Sequence, residues 1–143
     1  MKIALIGPTH PFRGGISHHT TLLCRTLRRE HEVKFISFRR QYPRLLFPGK
    51  SDRDPSGDAV KVGDVDYLID SLNPFTWLAA ARAVVAFGPR KVVIPWWVAF
   101  WAPQFWTISI FVRRFTHAHI LYLCHNLVEH ESRPIDKILT KIV

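Results

Sequence analysis

Gly14-Gly15, Trp96-Trp97 and His125-Asn126 are the positions where residue type and spacing suggest chemistry. The glycine pair ends a short polar loop that leaves the apolar run Ile3-Ala4-Leu5-Ile6 at Gly7-Pro8, and a helical pattern starts just beyond it. Glycine lets backbone N–H groups approach a guest closely, and the positive end of the following helix favours an anion such as phosphate. A simple tight turn accounts for the same pair equally well. His125 and Asn126 follow the strand-like run Ile120-Leu121-Tyr122-Leu123-Cys124. An imidazole there suits contact with a sugar or phosphate, although both side chains can also serve only to cap and satisfy backbone groups. Trp96 and Trp97 close the run Val92-Val93-Ile94-Pro95 and offer flat apolar faces.

Several familiar chemistries are excluded by spacing. Gly7 and Gly14-Gly15 do not make G-x-G-x-x-G, and the second strand ends in Arg39-Arg40 where an NAD enzyme would want an acid for the ribose. No G-x-x-x-x-G-K-[ST] occurs. HExxH is absent, and three residues separate His125 from Glu129 where the inverted zinc motif has two. Asp52, Asp54, Asp58, Asp64 and Asp66 miss the calcium-loop spacing and lack a closing Glu, so they read as a solvated acidic loop. No metal site and no cofactor are expected. Cys24 and Cys124 form no CxxC and no disulfide framework, which fits a reduced, cytoplasmic setting. The N-terminus lacks the long apolar segment of a secretory signal.

The elements that must position these residues are legible in order. Ile3–Ile6 is a strand. Ser17 stands where a helix would be capped, with Ile16, Thr20, Leu23 and Leu27 at helical spacing. Val33 to Phe38 alternates as a second strand. Residues 41–66 hold Pro43, Pro48, Gly49, Pro55, Gly57 and Gly63 and read as a long loop with one short helical turn near Leu45. Tyr67-Leu68-Ile69 is a third strand. Asn73 then caps a helix with Pro74 at its first position, and Gly88-Pro89 stops it. Val92–Ile94 is β-branched throughout, as a central parallel strand should be. A helix follows the tryptophans, then the Ile120–Cys124 strand, and Pro134 opens a last helical pattern through Ile135, Ile138, Leu139 and Ile142. The sequence stops inside that pattern, so the domain over residues 1–143 is expected to be truncated. The alternation predicts an α/β fold, a doubly wound parallel sheet, with the site beyond the carboxyl ends of the strands.

The formal charge is +9, from 20 basic and 11 acidic residues, and it favours anionic partners. No helix-turn-helix, zinc finger or RNP motif accompanies it, so nucleic acid is not expected. Residues 92–112 carry no charge, long enough for a membrane span. Pro95 and Pro103 interrupt the run, and the first part is better used as a buried strand. Two uses of its aromatic residues remain open, packing on the core and facing an anionic membrane surface.

Together, KIALIGPTHPFRGGISHHTTLLCRTL, VVIPWW and YLCHNLVEHE, in this order, resemble the N-terminal domain of GT-B glycosyltransferases of the retaining, nucleotide-sugar-dependent glycosyltransferase family 4. The resemblance spans most of the chain. It implies a Rossmann-like domain forming one half of a GT-B fold, mainly holding the acceptor, with the cleft completed by a C-terminal donor-binding domain. Gly14 and Gly15 would approach the donor's phosphates and sugar, and His125 would lie near the transferred sugar as the catalytic histidine. Trp96, Trp97 and Asn126 are acceptor-side candidates by position. The implied partners are a nucleotide-sugar donor and a carbohydrate or lipid-linked acceptor, with no metal. The family's donor domain, with its paired glutamates around a seven-residue spacer, is absent; Glu129 and Glu131 have the wrong spacing. The 143 residues alone are therefore expected not to turn over. The alternative is a stand-alone nucleotide- or phosphate-binding module, or a membrane-peripheral interaction module.

Overall fold

A computed structural model describes residues 1–43, 53–54 and 60–125. The elements are β1 (Lys2–Ile6), α1 (Gly15–Leu27), β2 (Glu32–Arg40), β3 (Val65–Asp70), α2 (Pro74–Phe87), β4 (Lys91–Trp96), a 3-10 turn (Ala99–Trp101), α3 (Ala102–Phe115) and β5 (His119–Cys124). The five strands form one parallel sheet in the order β3-β2-β1-β4-β5. Chain order reverses between β1 and β4, so the crevice of this α/β, Rossmann-like sheet opens beyond their carboxyl ends. The turn expected near Leu45 and the helical pattern after Pro134 lie outside the described residues.

Strand alternation divides the core into two layers. Ile3, Leu5, Phe35 and Val93 point to one face, where Cys24 of α1 meets them. Ala4, Ile6, Ile36, Phe38, Val92, Ile94 and Trp96 point to the other, under Ala80, Ala81 and Val84 of α2 and Phe105, Ile108 and Val112 of α3. β1 is thus apolar at consecutive positions because both of its faces are covered.

α2 begins as its sequence dictates. Asn73 accepts a hydrogen bond from the Phe75 amide at 3.1 Å, Pro74 fills the first helical position, and Gly88 ends the helix at φ +65°. α1 departs from expectation in two ways. It starts at Gly15, so Ser17 lies inside the first turn and is not its cap. Its buried stripe is Ser17, Thr20, Thr21 and Cys24, while Ile16, Leu23 and Leu27 lie half-buried at its edges. The small stripe lets α1 press close to the sheet. A Cβ on Gly7 would stand 2.8 Å from Cγ of Pro95 and 3.1 Å from Cγ2 of Thr20, so only glycine fits where β1 leaves the sheet.

The arginines at the end of α1 hold the chain that enters β3. Arg25 donates to the carbonyl of Lys61, and Arg28 donates to those of Gly63 and Asp64. Arg40 makes a two-pronged pair with Asp70 across β2 and β3, at 2.9 and 2.7 Å. The uncharged run 92–112 is divided among β4, the 3-10 turn and α3. No helix among the described residues is long and apolar enough to cross a membrane.

Candidate functional site

A cleft of about 240 Å³ opens at the β1/β4 crevice. The loop from Gly7 to Gly14 forms its floor. That loop is fixed by α1: Ser17 Oγ donates to the Phe12 carbonyl at 2.6 Å, and the hydroxyls of Thr9 and Thr21 share a hydrogen bond of 2.6 Å. Thr21 Oγ1 is also 2.6 Å from the Ser17 carbonyl. The Asp54 amide donates to the Pro11 carbonyl at 2.8 Å, and Tyr67 donates its phenol to the His10 carbonyl. The hydroxyl-rich stripe of α1 thus has a purpose that its sequence conceals. It ties the glycine loop to the helix without using the helix's first N–H groups.

Among the described residues nothing outside the helix accepts from those N–H groups. Gly14 occupies the cap position at φ +117°, where a side chain is strained, and no side chain among the described residues caps α1. The first backbone hydrogen bond of the helix runs from the His18 amide to the Gly14 carbonyl. No acidic residue stands in the first turn. The amides of Gly15, Ile16 and Ser17, together with the helix dipole, therefore face the cleft, and Arg13 lines it beside them. An anionic group is the guest this arrangement favours.

The opposite wall consists of Gln41, Tyr42 and Trp97. Tyr42 stacks on Phe100, with ring centroids 5.8 Å apart, and meets Trp101 edge-on. Trp97 leans on Trp101 and Phe105. Gln41 is 6% exposed and lines the cleft with its neighbour Tyr42. A primary amide at the mouth of a cleft can donate to, or accept from, a ligand's hydroxyl or phosphate oxygen.

The sequence-predicted residues separate here. Gly14, Gly15 and Trp97 line one cleft. Trp96 does not line it. It shares strand parity with Val92 and Ile94, is 5% exposed and packs into the core beside Tyr122. His125 lies at the end of neighbouring β5, its amide donating to the Trp96 carbonyl at 2.8 Å. Its exposed ring meets that of His19 edge-on at 4.7 Å. His19 is one turn beyond Gly15 on α1, so the histidine and the glycine pair adjoin the same helix start. Partial desolvation and the neighbouring His19 hold the His125 imidazole below its ordinary pKa. Asn126 lies outside the described residues.

Gln41, Tyr42, Arg13 and His19 are the residues that reading by motif passes over. The signal for Gln41 was its place immediately after the second strand, where folds of this topology contact a ribose. The nearby Arg39-Arg40 obscured it; Arg40 is engaged with Asp70. Among the described residues no group of three or more His, Cys, Asp or Glu side chains gathers as metal ligands would. No protein-family model, curated protein or solved structure matches this chain.

Proposed function

We propose that this chain is the acceptor-side domain of a retaining glycosyltransferase that moves a hexose from a nucleotide-sugar to a carbohydrate or lipid-linked acceptor. The observation that carries the reading is the uncapped start of α1 behind Gly14-Gly15, opening into a cleft walled by Trp97 and Tyr42. Such a cleft offers a positive end for a diphosphate and flat faces for a sugar ring within one small volume.

Each residue then has a task. The amides after Gly14 and Gly15, with Arg13, stabilise the charge that collects on the leaving diphosphate as the anomeric C–O bond breaks. Trp97 and Tyr42 bound the acceptor's side, while Trp96 supports that wall from the core. The Gln41 amide fixes a hydroxyl or phosphate oxygen. His125, beside the same helix start, contacts the transferred sugar. Kept mostly neutral near pH 7, its imidazole can accept or donate a hydrogen bond without adding charge to a developing oxocarbenium ion. The reading requires a second, donor-binding domain and calls on no resident metal. It puts the protein in the cytoplasm, peripheral to a membrane.

Transfer from a labelled nucleotide-hexose, measured on the complete enzyme, tests this. His125→Ala should lower kcat at least about a hundredfold with an unchanged circular dichroism spectrum. Undiminished turnover would remove His125 from the site. The second reading is a stand-alone nucleotide- or phosphate-binding module. It requires nucleotide binding by these 143 residues with no transfer under any donor.

A further inference from the structure

The outer face of α2 and α3 presents an apolar surface that the core does not use. α3 buries Phe105, Ile108 and Val112 against the sheet, yet its opposite stripe is also apolar, with Trp106 45% and Ile110 48% exposed. Phe75 at the start of α2 is 81% exposed, and Phe115 at the end of α3 is 58% exposed. Between the helices lies a shallow groove of about 250 Å³, with Leu78 and Phe111 on its sides and Arg114 at its end. Trp106, Ile110 and Phe115 line this groove and Phe75 stands on the same helical layer, so the exposed apolar side chains form an interaction patch rather than scattered surface hydrophobics.

The charges on that layer are of one sign. Arg82, Arg113 and Arg114 are exposed, the last lying over the Phe115 ring at 5.6 Å, and neither helix carries an acidic residue. A second copy of the chain would set these arginines against their own kind. An anionic bilayer complements them: Trp106, Phe75 and Phe115 suit the headgroup boundary, and the guanidinium groups suit lipid phosphates.

We propose that the α2/α3 outer face is the surface by which this protein docks, without spanning, on an anionic membrane. This deepens the peripheral location in the functional reading and divides the aromatic run between the two uses the sequence left open, since Trp96, Trp101 and Phe105 are core residues and Trp106 lies on the outer face. Docking there would keep the cleft's lipid-linked acceptor at the surface where it resides. The inference is separable from the transfer chemistry, because binding is read without turnover.

Flotation of the full chain with vesicles tests it. Wild type should float with vesicles of phosphatidylglycerol in phosphatidylcholine and stay behind with phosphatidylcholine alone. The double variant Trp106→Ser/Ile110→Ser and the charge variant Arg113→Gln/Arg114→Gln should each bind about tenfold more weakly or less. All are surface changes, so thermal midpoints should match wild type. Leu22→Ser, an exposed apolar change on α1, should leave flotation intact. The proposal is overturned if wild type ignores anionic vesicles, if the double variant floats as well as wild type, or if neutral vesicles serve equally. A concentration-dependent dimer that Trp106→Ser/Ile110→Ser abolishes would also overturn it, assigning the face to a second copy. Loss of flotation with intact transfer to a soluble acceptor would remove the membrane surface alone, whereas flotation without transfer would remove the transfer reading alone.

Discussion

Gly14 sits at φ +117° and ψ 163°, a region that residues with a Cβ rarely enter, and a Cβ there would meet nothing within 4 Å. The cost of Gly14→Ala is therefore conformational, about 1–3 kcal/mol, and the variant should relieve it by turning the Gly14–Gly15 peptide away from the cleft. Thermal unfolding should show the loss, and pyrophosphate affinity should fall with it. Burial comes first and His19 second among the causes of the depressed pKa of His125. His19→Ala should raise the His125 midpoint in an NMR titration yet leave it below that of a free imidazole. The same depression means that His125 favours folding fully above its ordinary pKa, and that this contribution is lost as pH falls toward the folded-state value. That the glycine pair opens α1 was legible in the sequence because a helical pattern starts just beyond it. The His19–His125 contact was not, because nothing local ties residue 19 to residue 125.

Elements decide which candidate does what. Trp96 and Trp97 are adjacent, yet β4 assigns them to different environments. Trp96 continues the parity of Val92 and Ile94 into the core, and Trp97 lies just past the strand's end. Trp96→Ala should cost about 3–5 kcal/mol of stability. Trp97→Ala should cost about 1–2 kcal/mol and weaken ligand binding instead; chemical denaturation paired with a binding titration separates the two. That division was readable from period-two alternation once the strand's last residue was known. The helix boundaries at Asn73-Pro74 and Gly88 were legible because capping chemistry is local. The rotation of α1 was not. Ile16, Leu23 and Leu27 look like the buried stripe by hydropathy, but close approach at Gly7 selects the small face with Thr20 and Thr21. Their hydroxyls are satisfied by the Ile16 and Ser17 carbonyls and by Thr9.

At the scale of the molecule, the sheet order β3-β2-β1-β4-β5 gathers residues far apart in sequence at one edge. Alternation of strands and helices announced a parallel sheet. Only the order in space showed that β1 and β4 adjoin, and hence that the glycine loop and Trp97 face one another across a crevice. Gln41 and Tyr42 join them because β2 lies on the other flank of β1. The proposed ligand site at the strand ends and the proposed membrane surface on the α2/α3 layer use different faces of the molecule. On the proposed function, the crevice behind Gly14-Gly15 receives the diphosphate and sugar of a nucleotide-sugar. Titrating a nucleoside diphosphate hexose into the protein while following its amide NMR spectrum tests this most directly. Saturable shifts at the amides of Gly14, Gly15 and Ile16 and at the Trp97 indole, diminished in Gly14→Ala, are the predicted result. Unmoved signals at all four positions, with saturation elsewhere or nowhere, would contradict it.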